Sequence, residues 1–259
     1  MKRIILLLAF VVCAVSVSAQ QSFKAGIFVS SAGDSLKYRY LEPEICKPSR
    51  KYPLVLFFHG YSDIGSDNER HLTRGSQMFL NPVNRERFPA FVIFPQCPSD
   101  QMWSYTQYPD KLTPYNLEPA SELPPATKAV KELLDSYLDN PNVDKNRIYI
   151  MGISMGGQAT FDMAVRFPEV FAAAVPLCGS VKAGRIHAAK NIKFRIYHGD
   201  ADNVVPVECS RLAYRELKEA GAEVEYIELH GHRHDIWRQV FNQPDFMEWL
   251  FKQKRSRKH

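Results

Sequence analysis

Six short runs of nearly continuous apolar residues alternate with helix-like segments along most of the chain. The apolar runs occupy residues 52–58, 91–94, 147–151, 171–177, 192–197 and 224–229. Strands that are apolar on both faces are typical of parallel sheets covered by helices. Apolar residues at helical spacing lie between the runs or after them, at 125–139, 159–167, 207–220 and 246–252. The alternation predicts an α/β fold with a mainly parallel central sheet and helices on both faces.

The amino-terminal segment has the pattern of a secretory signal peptide. Lys2 and Arg3 precede an apolar stretch at residues 4–17, and small residues follow it up to Ala19. The stretch is shorter than the roughly 18 apolar residues that a membrane span needs, so no stable membrane anchor is predicted. We expect residues 1–19 to be cleaved and the protein to be secreted or periplasmic.

No Gly/Ser-rich linker or internal repeat divides residues 20–259, which we therefore expect to form a single domain. Two short strands at 23–30 and 36–41, around a turn at 32–34, are predicted to form a hairpin before the main sheet.

The formal net charge of +5 comes from the two ends of the chain. Lys2 and Arg3 would leave with the signal peptide, and five basic residues without an acid form a tail at 252–259. The body between these ends is slightly acidic, so we expect no nucleic-acid partner.

Four cysteines remain after cleavage: Cys46, Cys97, Cys178 and Cys209. Their wide spacing excludes a CxxC redox motif or a zinc knuckle. An exported protein can form disulfides, and the sequence does not select a pairing.

A candidate nucleophile follows the strand at 147–151. Residues 152–157 read Gly-Ile-Ser-Met-Gly-Gly, a G-x-S-x-G motif between a strand and a helix, with Ser154 at the turn. A turn this sharp strains the serine backbone, and a side chain at Gly152 or Gly156 would collide with neighbouring backbone. A serine hydroxyl also needs a base to accept its proton.

Acids and histidines that can serve such a serine follow the next strand ends. Asp200 and Asp202 come after the strand at 192–197, and three histidines come after the last strand: His230, His232 and His234. The order serine, acid, histidine is that of α/β-hydrolases. In an alternative hypothesis, His230, His232, His234 and Asp235 are metal ligands. That hypothesis leaves the motif at 152–157 unexplained.

Five segments together resemble the α/β-hydrolase family, and within it the small secreted esterases related to feruloyl and acetyl-xylan esterases. They are residues 57–61 with 65–68, residues 94–98 with Trp103, and residues 152–157, 198–206 and 231–237. The resemblance implies an α/β-hydrolase catalytic domain over residues 20–259. The chain is also similar to hydrolase domains of the prolyl-oligopeptidase type.

The resemblance also implies roles for individual residues. The pattern D-x-x-V-P selects Asp202 as the acid, and G-x-x-H-x-x-W selects His234 as the base. Met155 follows the nucleophile and is expected to donate one oxyanion N–H, and Tyr61, after His-Gly, the other. The segments after the strand at 91–94 supply the expected substrate-lining residues, Gln96 and Trp103.

The expected function is a serine carboxylesterase that works through an acyl-enzyme, without cofactor or metal. Feruloyl or acetyl esters of plant polysaccharide are the substrates that the resemblance implies. Two alternatives stay open: a serine peptidase of the prolyl-oligopeptidase type and a non-catalytic hydrolase-fold binding module.

Overall fold

The computed structural model describes residues 22–104 and 111–255, and these contain one sheet of eight strands. The strands are β1 (Lys24–Val29), β2 (Ser35–Leu41), β3 (Tyr52–Phe58), β4 (Phe91–Pro95), β5 (Val143–Ile153), β6 (Ala173–Leu177), β7 (Lys193–Gly199) and β8 (Val224–Leu229). Their order is β1-β2-β4-β3-β5-β6-β7-β8. β2 pairs antiparallel with β1 and β4, and every other neighbouring pair is parallel. The predicted mainly parallel sheet and its preceding hairpin are confirmed.

Helices cover both faces of this sheet, as predicted. The helices of the described residues are α1 (Ser76–Leu80), α2 (Pro82–Arg87), α3 (Pro125–Leu138), α4 (Met155–Arg166), α5 (Glu208–Glu219), α6 (Trp237–Phe241) and α7 (Phe246–Lys252). One buried cluster joins the sheet to α3, α4 and α5, and a second joins it to α1, α6 and α7. The two clusters enclose the sheet between two helical layers.

β3 illustrates how the sequence produces these two clusters. Leu54, Leu56 and Phe58 belong to the cluster with α3, α4 and α5, whereas Val55 and Phe57 belong to the other. Successive side chains of a strand point to opposite faces, so a continuous apolar run fills both layers. All five side chains are fully buried.

Some boundaries differ from those that the sequence predicts. α4 begins at Met155, directly after the turn, whereas apolar spacing predicts a helix from residue 159. The first turn contains Gly156 and Gly157, which carry no side chain to mark a helical face. The helices α1, α2 and α6 have five or six residues each, too few for a recognisable period.

The predicted signal peptide at 1–19 lies outside the described residues, as does the end of the basic tail at 256–259. The described part of the tail packs back on β5. The Tyr149 hydroxyl donates to the carbonyl of Gln253 at 2.9 Å, and the N–H of Arg255 donates to the carbonyl of Asn146 at 2.9 Å. Within the described ranges, no helix combines the length and apolarity of a membrane span.

The four cysteines of the described chain are unpaired thiols, with Cys46 exposed and the others buried. Burial raises the pKa of Cys97 and Cys209 to about 12 and that of Cys178 well above its usual range. The buried thiols therefore stay protonated at neutral pH and pack as small apolar groups.

Replacing Val130 by Ala should lower the free energy of unfolding by about 2 kcal/mol, because it removes two methyl groups from the core between α3 and the sheet. Val130 is 1% exposed. Val83→Ala on α2 makes the same chemical change at a position that is 59% exposed. Urea unfolding of this control should stay within about 0.5 kcal/mol of the wild type. Equal losses in the two variants would contradict the layer assignment.

Candidate active site

Ser154 lies at the sharp turn between β5 and α4, at the carboxyl edge of the sheet. Its backbone has φ 57° and ψ −117°, a region that residues other than glycine rarely occupy. The N–H of Ser154 donates to the carbonyl of Leu177 at 2.8 Å, so the end of β6 holds the turn. This is the strained strand–turn–helix geometry of a nucleophile elbow.

The glycines around Ser154 permit very close backbone contacts. A Cβ atom at Gly156 would lie 2.1 Å from the carbonyl oxygen of Phe58. A Cβ atom at Gly152 would lie 2.3 Å from the carbonyl oxygen of Gly156. Since real Cβ atoms do not approach backbone oxygens so closely, the expected collision of any side chain at these positions is confirmed.

Ser154, His234 and Asp202 form one hydrogen-bonded chain. His234 Nε2 lies 2.8 Å from Ser154 Oγ, and His234 Nδ1 lies 2.7 Å from Asp202 Oδ2. An ionised carboxylate only accepts, so Nδ1 carries the hydrogen and Nε2 is left to accept from the serine hydroxyl. The structure thus brings together the three residues that the sequence selects as nucleophile, base and acid.

The carboxylate of Asp202 is fully buried, and both of its oxygens accept hydrogen bonds. Oδ1 accepts from the N–H groups of Val204 and Val205, at 2.8 and 2.9 Å. Burial raises the pKa of Asp202, but hydrogen bonds from His198 and His234 outweigh this effect and hold the pKa well below its usual range. Asp202 is therefore ionised at neutral pH and stabilises a positive charge on His234.

Asp200 forms a separate and exposed pair with His230. Its Oδ2 lies 2.6 Å from His230 Nδ1, and its Oδ1 accepts from the N–H of Gly231 at 2.6 Å. The His230 side chain is 98% exposed. This pair ties the loops after β7 and β8 together, and neither member reaches Ser154. His232 is partly exposed.

The alternative metal cluster of three histidines is not assembled, because two of them pair with different aspartates. Among the described residues, only Cys178, Asp202 and His234 bring three potential ligand atoms within 4.8 Å of one another. Cys178 Sγ lies 3.7 Å from the carbonyl oxygen of His234, and burial keeps its thiol protonated. A protonated thiol is a poor metal ligand. Asp202 and His234 are instead hydrogen-bonded to each other, and His234 to Ser154.

Two backbone N–H groups border Ser154, at the positions expected for an oxyanion hole. Met155 is the first residue of α4, so its N–H has no partner within the helix. Tyr61 opens a 3₁₀ turn at Tyr61–Asp63, and a Cβ atom at the preceding Gly60 would lie 3.6 Å from Ser154 Cβ. The peptide between Gly60 and Tyr61 therefore runs beside Ser154.

His59 controls this peptide, a role that the sequence analysis missed. Its Nδ1–H donates to the carbonyl of Gly60 at 2.7 Å, and its Nε2 accepts from the N–H of Cys97 at 2.9 Å. Burial lowers the pKa of His59 to about 4, so the ring is neutral. In a trans peptide the N–H points away from the carbonyl, so His59 fixes the direction of the Tyr61 N–H.

The prediction that Gln96 and Trp103 line the substrate is wrong. Trp103 is fully buried, and its Nε1–H donates to the carbonyl of His59 at 3.3 Å. Gln96 is 1% exposed; it accepts from the N–H of Asn68 at 2.6 Å and donates to Asp67 at 2.8 Å. Both side chains are buried and hydrogen-bond to the loops around the site, so they hold these loops from the protein interior.

A polar groove of about 900 Å³ lies between the segment of α1 and α2 and the segment of α6, which follows His234 in the chain. Asp235 and Trp237, which closely follow His234, form part of its wall. The guanidinium of Arg74 lies 5.1 Å from the centre of the Trp237 ring and pairs with Asp63. Five amide side chains also line the groove: Gln77, Asn81, Asn84, Gln239 and Asn242.

Known proteins share this architecture. A family model described as phospholipase/carboxylesterase matches residues 42–247. Carboxylesterase SOBER1 of Arabidopsis thaliana is 26% identical over 199 residues, which are 70% of this chain and 83% of that protein. The crystal structure of a thermostable esterase is 36% identical, with a TM-score of 0.81 over 90% of this chain and 63% of that chain. A ferulic acid esterase from Anaeromyces mucronatus, solved with ferulic acid, is 14% identical, with a TM-score of 0.62 over 90% of each chain.

The chain belongs to the phospholipase/carboxylesterase family of α/β-hydrolases. Family membership confirms the resemblance of the sequence segments to α/β-hydrolases. The chain spans 63% of the length of the thermostable esterase, which is less than two thirds of that protein. The likeness to the ferulic acid esterase, at 14% identity, is one of fold.

Replacing Asp202 by Asn should lower the turnover of p-nitrophenyl acetate by about 10³- to 10⁴-fold, because the amide favours the wrong tautomer of His234. The matched change Asp200→Asn alters the exposed pair and should keep at least about a tenth of the activity, since surface pairs contribute little. The measurement is the kcat of both variants. A dead Asp200 variant beside an active Asp202 variant would reverse the assignment of the acid.

Proposed function

We propose that the chain is a serine carboxylesterase with Ser154, His234 and Asp202 as its catalytic triad. The single observation that carries this proposal is the hydrogen-bonded chain between the three side chains, with distances of 2.8 and 2.7 Å. Membership of a carboxylesterase family supports the ester bond as the target.

In the acylation step, Ser154 Oγ attacks the ester carbonyl carbon while His234 Nε2 takes the hydroxyl proton. The tetrahedral intermediate collapses as His234 returns this proton to the leaving alcohol, and the acyl group stays on Ser154. Water then attacks the acyl-enzyme, and His234 again acts first as base and then as acid. Asp202 holds the imidazole tautomer and stabilises the transient imidazolium.

The negative charge that develops on the carbonyl oxygen needs donors that are already in place. We assign this role to the N–H groups of Met155 and Tyr61. The N–H of Met155 also lies at the amino end of α4, where the helix dipole favours negative charge. Losing one such donor typically costs about 3 kcal/mol of transition-state stabilisation.

The polar groove supports an ester whose alcohol part is a carbohydrate. Amide side chains offer donors and acceptors for the hydroxyl groups of a sugar. We therefore propose feruloyl or acetyl esters of plant polysaccharide as substrates. An enzyme acting on a polymer must meet it outside the cell membrane, which accords with the expected export after cleavage of residues 1–19.

Ser154→Ala should lower ester turnover by about 10⁴-fold or more, because it removes the attacking atom while leaving the fold intact. A fluorophosphonate probe should label the wild type once, at Ser154, and should fail to label this variant. Ser136→Ala, on α3, is the control and should be labelled normally. EDTA should leave turnover unchanged.

The same assay separates the alternatives. A wild-type protein that cleaves a prolyl peptide amide faster than p-nitrophenyl acetate or methyl ferulate would contradict the esterase proposal in favour of a peptidase. A folded protein without labelling or turnover would favour a binding module. Activity that survives in Ser154→Ala but stops with EDTA would favour the metal hypothesis.

Removing two exposed amides from the groove tests the carbohydrate proposal. The double variant Gln77→Ala, Gln239→Ala should lower kcat/KM for an acetylated xylo-oligosaccharide about thirtyfold, since each of the two lost hydrogen bonds is worth about 1 kcal/mol. Turnover of p-nitrophenyl acetate, which is too small to fill the groove, should change less than about twofold. Glu219→Ala on α5 is the surface control. Equal losses on both substrates would argue against the groove as a sugar site.

A further inference from the structure

A second buried imidazole contacts the acid of the proposed triad. His198 lies near the end of β7 and has no exposed side-chain surface. Its Nε2 lies 3.2 Å from Asp202 Oδ2 and 2.9 Å from the carbonyl oxygen of Val205. Neither neighbour can donate, so Nε2 carries a hydrogen that points between the two oxygens. The Oδ2 atom that faces His234 is therefore also the one that faces His198.

The other side of the His198 ring is held equally firmly. Its Nδ1 lies 2.7 Å from the hydroxyl oxygen of Ser210, which is buried in the first turns of α5. The same hydroxyl lies 3.5 Å from the carbonyl oxygen of Gly179, in the loop after β6. Rotation of the ring would leave polar groups at both nitrogens without partners in a dry environment, which is costly. The orientation of His198 is thus fixed by α5.

The Asp202 loop closes on this ring. Asp202 Oδ1 accepts from the N–H of Val205. The carbonyl oxygen of Val205 in turn lies against His198 Nε2. The carboxylate is therefore held at both oxygens. His198 is the side chain that holds Oδ2 from the side of the protein interior, while His234, which is 19% exposed, contacts it from the side of the nucleophile.

We propose that His198, held by Ser210, is a positioning residue that keeps Oδ2 of Asp202 directed at Nδ1 of His234. The proposal rests on the triad assigned under the proposed function. His198 has no contact with the serine hydroxyl, so it acts only through Asp202. Its hydrogen bond also counters the effect of burial on the pKa of Asp202 and so favours the ionised carboxylate.

Two substitutions of similar size separate the hydrogen bond from packing. His198→Leu removes the donor, and we expect kcat to fall about 10- to 100-fold with KM within about threefold, because the carboxylate is misdirected while substrate contacts remain. In His198→Gln the side-chain amide places a donor near the position of Nε2, and we expect kcat within about fivefold of the wild type. Tyr197→Phe is the control: it removes a 2.9 Å hydrogen bond to Gln243 from the adjacent residue of β7 and should leave kcat unchanged.

The decisive measurement is the effect of His198→Leu in an Asp202→Asn background. If His198 acts through Asp202, the additional loss of kcat should be less than about threefold. Three results would each overturn the proposal. They are an undiminished loss of kcat in the Asp202→Asn background, equal losses of kcat in His198→Leu and His198→Gln, and a wild-type kcat in His198→Leu. If His198→Leu fails to fold, Ser210→Ala takes its place as the test. This change removes the partner of His198 Nδ1 and should lower kcat, and the loss should disappear in the Asp202→Asn background.

Labelling by a fluorophosphonate reports the activation of Ser154 whatever the natural ester is. Slow labelling of His198→Leu beside normal labelling of His198→Gln supports the proposal even if every tested ester is a poor substrate. Equal labelling rates in the wild type and His198→Leu overturn it while leaving the serine mechanism intact. A wild type that no probe labels overturns the proposed function, and this inference with it.

Discussion

The close approach of the first turn of α4 to the end of β3 is the constraint on which the rest of the site depends. Because Gly156 allows backbone to pack against the carbonyl of Phe58, the chain can turn within one residue from β5 into the helix. This turn forces Ser154 into a backbone region that costs about 1–3 kcal/mol. The parallel pairing of the carboxyl-terminal half of β5 with β3 and β6 offsets that cost. The same turn leaves the N–H of Met155 free and brings Gly60 beside the serine.

Burial decides which of two similar Asp–His pairs is suited to catalysis. Asp202–His234 and Asp200–His230 have nearly equal distances of 2.7 and 2.6 Å. The Asp202 side chain is fully buried, whereas His230 is 98% exposed, so water screens the outer pair strongly. Only the buried carboxylate can fix a tautomer and stabilise a charge on its histidine. The exposed pair contributes a tie between two loops.

For His59, His198 and His234, the neighbouring acceptors determine which ring nitrogen carries the hydrogen. His59 donates to a carbonyl through Nδ1, His198 donates between a carbonyl and a carboxylate through Nε2, and His234 donates to a carboxylate through Nδ1. Of these three rings, only that of His234 has its second nitrogen directed at Ser154 Oγ. The other two rings are buried: that of His59 orients the N–H of Tyr61, and that of His198 orients the carboxylate of Asp202. Preorganised dipoles of this kind need no rearrangement when charge develops.

Much of the fold follows from the sequence by itself. The apolar runs predicted the strands β3 to β8, and the turn at 32–34 predicted the hairpin of β1 and β2. A strand buried on both faces, such as β3, has to be apolar throughout. The motif at residues 152–157 located Ser154, because only glycines permit its turn. Spacing along the chain also reduced the acid to two aspartates and the base to three histidines. The family pattern then selected Asp202 and His234, the pair that the structure joins to the serine.

The tertiary structure alone decided the roles of the residues beyond the strand ends. Trp103 and Gln96 follow β4 closely enough to reach the site, yet both turn inward to bond His59 and the loop at Asn68. His59 and His198 carry no periodic signal that sets them apart from other polar residues. Apolar periodicity reports which face of an element is buried. The direction of a polar side chain in a loop depends instead on partners far apart in sequence, such as Ser210 for His198, and these meet only when the sheet and helices pack.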